Sequence, residues 1–70
     1  MNYLKQKLEE KHISQVELGR RIGISRQYVC DMCNGRINFM KMKLESIYNI
    51  AMVLDIPLYE FVKGIMGNKE

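Results

Sequence analysis

Seventy residues make one domain and no more, and a chain this short buries only a small core. With 47% apolar and 27% charged residues the composition is globular rather than disordered, and no apolar run approaches the roughly 20 residues of a membrane span. The net charge is only +3 but unevenly spread: residues 20–43 carry Arg20, Arg21, Arg26, Arg36, Lys41 and Lys43 against Asp31 alone. Such a block favours a polyanionic partner, and a solvated basic surface is the plainer alternative.

One proline, five glycines and many Leu, Ile, Met, Lys and Glu predict an all-α chain. The N-terminus, M-N-Y-L-K-Q-K-L-E-E, is amphipathic and charged, unlike a signal peptide. The expectation is a cytoplasmic protein in a reducing compartment, where structural disulfides are rare. In chain order, a first helix is expected from about Asn2 to Lys11, with Leu4 and Leu8 one turn apart. A second begins at Ser14, which with Glu17 forms a capping box; Leu18 and Ile22 give it a buried side, and Gly23 stops it. A third starts from the N-cap Ser25 and runs to about Cys33, with Asn34-Gly35 as its stop. Only Gly23 and Ile24 separate the second helix from that cap. Helices joined so tightly cross steeply, which is a helix-turn-helix spanning about residues 15–34.

A loop, R-I-N-F-M-K-M, follows. The fourth helix is expected over about Lys43 to Leu54, with Leu44, Ile47, Ala51 and Leu54 on one stripe. Pro57 fits the first turn of a fifth helix, which runs to about Lys63 and ends at Gly64. Residues 67–70 are expected to fray. The whole, residues 1–70, is a compact five-helix domain with no internal repeat.

The third helix has one free face. At about 100° per residue, Val29 and Met32 point toward the first two helices, and Tyr28 and Cys33 flank that side. Arg26, Gln27, Cys30 and Asp31 lie opposite. Arginine presents donors that match a guanine edge, glutamine pairs with adenine, and a carboxylate accepts from cytosine. An ordinary solvated face is also polar. It does not explain why this face lies in the cationic block on a steeply crossed helix pair.

The run I-S-Q-V-E-L-G-R-R-I-G-I-S-R-Q-Y-V-C-D-M-C-N-G resembles the Cro/C1-type (XRE-like) helix-turn-helix of phage repressors and bacterial regulators. Gln15 opens the second helix, Gly19 stands where a small residue lets the helices touch, and Gly23 sits in the turn. Val29 and Met32 hold core positions, and Asn34-Gly35 closes the motif. The resemblance continues through I-A-M-V-L-D-I-P-L-Y-E-F and covers roughly residues 4 to 62. It implies a lambda-repressor-like fold that binds double-stranded DNA. Gln15 and Asn34 would then contact phosphates, Arg26 and Gln27 base edges, and Arg36 the backbone, with Asp31 at another base-reading position. Two departures stand out. The loop after Gly35 is about three residues longer than the family's, and its Phe39, Met40 and Met42 pack either on the domain or on a second subunit. His12 stands where the family often has glycine, so the first turn is expected to be set differently.

Cys30 and Cys33 form a C-x-x-C. Two cysteines and a distant His12 do not complete a tetrahedral zinc site, and a thiol away from a helix N-terminus lacks the dipole that activates it. Cys33 reads as packing, and Cys30 as a small residue allowing close approach to DNA. Tyr28 either reaches a phosphate or packs on the second helix. No nucleophile-base pair, phosphate loop or carboxylate dyad is present in the sequence, so no enzyme activity, metal, cofactor or small-molecule ligand is expected. The expectation is a transcriptional repressor on an inverted-repeat operator; with no room for a separate sensing domain, its switching is expected from partner binding, proteolysis, expression level or oligomerisation. A homodimer would pair through the fifth helix and its end, Leu58, Phe61, Val62, Ile65 and Met66, in preference to the long loop with Phe39, Met40 and Met42. The rivals are an antitoxin-type or adaptor protein held to another protein, and, more distantly, a redox or metal sensor.

Overall fold

A computed structural model of the chain describes residues 3–67. The described chain is all-helical: α1 Tyr3–Lys11, α2 Gln15–Ile22, α3 Arg26–Cys33, α4 Leu44–Leu54 and α5 Leu58–Ile65, with a short 3-10 turn, Phe39–Lys41, in the loop before α4. The expected helix start at Asn2 and the fraying over residues 68–70 lie outside the described residues.

Each helix contributes to one core. Leu4 and Leu8 enter it from α1, Leu18 from α2, Val29, Met32 and Cys33 from α3, Ile47, Ile50, Ala51 and Leu54 from α4, and Phe61 from α5. α2 lies chiefly against α3 and α4, and α1 closes over α3, α4 and α5. The Tyr3 ring sits 5.8 Å from that of Phe61, tilted by 53°.

The helix ends follow the local chemistry. Ser14 Oγ accepts from the Glu17 N–H at 3.0 Å, and Ser25 Oγ accepts from the Tyr28 N–H at 3.1 Å, so each serine satisfies a free donor of its helix. The capping box is only half made, because the Glu17 carboxylate turns to Arg20 and Arg21 instead of back to Ser14. Gly23 ends α2 in the left-handed region at φ 79° and donates to Gly19 O. His12 takes the same conformation at φ 59°, closing α1 as a glycine would. That is a strained choice for a residue with a Cβ.

Three expectations are corrected, and for Phe39 and Met42 one of the two alternatives is taken. Leu44 is 67% exposed and not part of the buried stripe, whereas Ile50, not anticipated, is fully buried. Gly64 does not end α5. It lies inside the helix, where a Cβ would collide with the Tyr3 ring, so the position is small for packing rather than for termination. Phe39 and Met42 pack on this domain, leaving Met40 as the exposed residue of the loop. Phe61 has no exposed surface and cannot meet a second copy, because the ring is the large side chain that fills the core between α1, α4 and α5.

Candidate nucleic-acid interface

The sequence Gly19-x-x-x-Gly23-Ile24-Ser25 sets the crossing of α2 and α3. A Cβ on Gly19 would stand 2.7 Å from Ile24 O and 3.4 Å from Val29 Cγ2, so only glycine fits without movement. The Ile24 N–H donates to Gly19 O at 2.9 Å, which ties the turn to the helix it leaves. α3 is then held from beneath. Val29 and Met32 are fully buried and Cys33 nearly so, more deeply than a flanking position implies.

This anchoring leaves the other side of α3 outward. Arg26 and Gln27 are exposed in its first turn, and with Cys30 they line a shallow depression. Asp31 is half-buried beside them. Its Oδ1 accepts from Gln27 Nε2 at 3.0 Å and pairs with Arg36 at 3.3 Å, so one carboxylate gathers two of the expected contact residues. The Asn34 amide donates to Cys30 Sγ at 3.4 Å, and the Asn34 N–H caps the helix on Cys30 O at 3.0 Å. Gly35 follows at φ 76°, as the Asn34-Gly35 stop requires. Gln15 is half-buried at the start of α2, and Ser25 is occupied as the cap of α3.

Tyr28 is half-buried against the core and also lines a groove with Ile24, Ser25, Lys41, Met42, Lys43 and Ser46. Lys41, Lys43 and Ser46 were not singled out in the sequence as site residues. Both lysines belong to the cationic block, but no spacing rule places the loop and the start of α4 beside the start of α3. Of that block, Arg20 and Arg21 are bound to Glu17, and Arg36 to Asp31. Among the described residues, Arg26, Lys41 and Lys43 have no ion-pair partner, and all three are exposed. The two arginines hold the Glu17 carboxyl below its ordinary range, Arg21 contributing most.

Both cysteines are free. Burial pushes the Cys33 thiol up, the direction that keeps it protonated and unreactive. Among the described residues no group of three or more His, Cys, Asp or Glu is placed to hold a metal ion. No described helix is long and apolar enough to cross a membrane.

A tightly crossed helix pair whose second helix keeps a free polar face, with the unpaired Arg26, Lys41 and Lys43 gathered at its start, defines a helix-turn-helix protein. A family described as helix-turn-helix matches residues 4–61, and the chain belongs to that family. It is 46% identical over 55 residues to the ImmF control region 10 kDa protein of Bacillus phage phi105. The match takes in 79% of this chain and 58% of that protein, so the chain spans little more than half of this relative's length. Membership of this family implies that the chain binds DNA.

Proposed function

We propose that the chain is a cytoplasmic repressor that binds double-stranded DNA in a sequence-specific way, with the start of α3 in the major groove. The observation that carries this reading is the pairing of an immobilised inner side of α3 with an exposed Arg26-Gln27 turn, flanked by the unpaired Lys41 and Lys43. Arg26 and Gln27 read base edges, and Asp31 sets Gln27 and Arg36 in position. Gln15, Asn34, Arg36, Lys41 and Lys43 grip phosphates, with the Tyr28 hydroxyl and the cap Ser25 at the same groove. Cys30 supplies a small side chain where the helix comes nearest the bases. The phage relative's name places it in a control region, which agrees with a regulatory role.

One short helix reads too few base pairs to single out a site in a genome, so the protein acts as a homodimer on an inverted repeat, its recognition helices about 34 Å apart. Leu58, Val62 and Ile65 of α5, and Met66 at its end, remain available for that contact. The first three are half-buried against their own core, which weakens the case for them.

The test is selection of bound duplexes from a random pool, followed by two variants. Gln27→Ala loses about 1–3 kcal/mol on the preferred site and relaxes preference at one base pair. Arg36→Ala weakens binding to all sequences alike and lowers the salt slope by about one phosphate contact. Uniform loss in both variants would remove α3 as the reader.

A further inference from the structure

The solvent side of α4 is apolar where a surface helix is ordinarily polar. Its exposed residues are Leu44, Glu45, Tyr48 and Met52. Leu44, Tyr48 and Met52 are 67%, 48% and 60% exposed and stand four residues apart, one stripe along the helix. The inner side of α4 already fills the core, so the stripe has no part in holding the domain together. Near Met52 a shallow hollow is lined by Ala51, Asp55, Ile56 and Pro57. Charges mark the two ends. Lys43 precedes the helix and Asp55 follows it, both exposed, and among the described residues neither has an ion-pair partner.

We propose that this stripe is the seam through which two copies of the chain associate, α4 lying antiparallel on α4 about a two-fold axis beside Tyr48. The inference rests on the reading that the protein works as a pair, and it moves the contact from α5 to α4. The stripe is its own complement. Tyr48 lies midway between Leu44 and Met52, so an axis at Tyr48 sets each Leu44 on Met52 of the other copy, at the edge of its hollow. The antiparallel sense also brings the Lys43 end of one helix to the Asp55 end of the other. A parallel pairing would stack lysine on lysine and aspartate on aspartate. On α5 and its end Phe61 is buried, and two large apolar residues, Tyr59 and Met66, are broadly exposed against three on α4.

The size of the patch sets the strength. Three partly exposed side chains make a patch of a few hundred Å², below the roughly 800 Å² per partner of a stable complex. The pair is therefore weak in free solution, in the micromolar range, and tightens when both copies are held on adjoining DNA sites.

Cysteine cross-linking of the full chain, in a Cys30→Ser background with the buried Cys33 retained, tests this. Helix axes about 8–10 Å apart bring facing Cα atoms within the reach of a disulfide, about 4.4–6.8 Å. Tyr48→Cys should form a covalent dimer under mild oxidation at micromolar protein without DNA. Leu44→Cys and Met52→Cys should each stay monomeric alone and cross-link when mixed. In sedimentation, Tyr48→Asp should weaken association by roughly tenfold or more, while Met66→Asp leaves it unchanged. Thermal melts confirm that these surface variants are folded. Cross-linking through Met66→Cys but not Tyr48→Cys, or a wild-type chain that stays monomeric up to about a hundred micromolar, would overturn the seam. A Tyr48 cross-link in a protein that selects no DNA sequence would sustain the seam and refute the DNA reading.

Discussion

Gly19 is the residue on which the helix-turn-helix geometry depends most directly, and Gly19→Ala measures that dependence. An added Cβ would stand 2.7 Å from the Ile24 carbonyl oxygen. Ordinary van der Waals contact begins near 3.4 Å, so backbone must move by about half an ångström or more. Ile24 O belongs to the turn, whose own N–H is bonded to Gly19 O, and Val29 Cγ2 closes the other side at 3.4 Å. Neither neighbour is the loose end of a flexible side chain. Overpacking of this kind costs about 1–3 kcal/mol, and alanine returns at most about 1 kcal/mol through helix propensity. Taking the middle of that range less the full propensity gain, the net loss is on the order of 1 kcal/mol, a fall in Tm of about 4–8 °C for a domain of this size.

The assay is thermal and urea unfolding by circular dichroism, with Gly23 as the internal comparison. Gly23 has open space around its Cα and is glycine for its φ of 79°. Gly23→Ala should also destabilise, by about 1–2 kcal/mol, but Gly23→Asn should recover much of that loss because asparagine tolerates the left-handed region. Gly19→Asn should recover nothing and be worse than Gly19→Ala. A Gly19→Ala protein as stable as the parent would mean that α2 and α3 do not approach each other this closely. The position of the whole reading face would then be wrong with them.

His12→Gly should stabilise the domain by about 1 kcal/mol, since φ 59° costs histidine what it does not cost glycine; a lower Tm would show that the imidazole contributes more than the strain removes. Glu17, held below its ordinary range by Arg21 and Arg20, contributes stability that is present above the unfolded glutamate pKa and lost as pH falls through the lowered folded value. Acid unfolding curves of Glu17→Gln should lack that part of the acid limb, and identical limbs would remove the pair as a stabilising contact. With Cys33 buried and its thiol pushed up, a thiol reagent at neutral pH should modify Cys30 first, and Cys33 only on the timescale of unfolding. A Cys30→Ser, Cys33→Ala protein should fold without zinc or reductant, and stoichiometric zinc in the purified parent would defeat that expectation.

The parts of the fold legible in the sequence are those decided within a few residues. Ser14, Gly23, Ser25 and Asn34-Gly35 act on the backbone next to them, so the bounds of α2 and α3 could be placed from local chemistry. What failed depended on distant neighbours. Gly64 reads as a stop until Tyr3, from the other end of the chain, is known to lie on it. α4 is apolar over a wider arc than one face, so periodicity does not say which edge is inside. Packing turned the helix toward Ile50 and left Leu44 in water. The same ambiguity assigned Phe61 to an interface when the core needed it. The candidate site was legible on α3, where a buried side and a polar side alternate cleanly. It was incomplete at Lys41, Lys43 and Ser46, which only the return of the loop brings to α3.

The composition of the cationic block overstates the charge available to a partner, and correcting for this sharpens which end of α3 meets it. Arg20 and Arg21 lie on α2 with their charge answered by Glu17, and Arg36, past the C-terminus of α3, shares Asp31 with Gln27. Among the described residues of a single copy, the unanswered cations of the block are Arg26, at the first position of α3, and Lys41 and Lys43, in the groove beside the Ser25 cap. They add to the positive end of the α3 dipole rather than to its middle. On the proposed reading a phosphate backbone is drawn to the start of α3, and Arg26 and Gln27 are the first side chains over the bases. Asp31, one turn further on, holds Gln27 by the amide nitrogen and leaves its carbonyl oxygen free to accept. Electrostatics orients the helix, while the buried Val29, Met32 and Cys33 keep it from rotating. On that reading recognition and stability occupy opposite sides of the same eight residues.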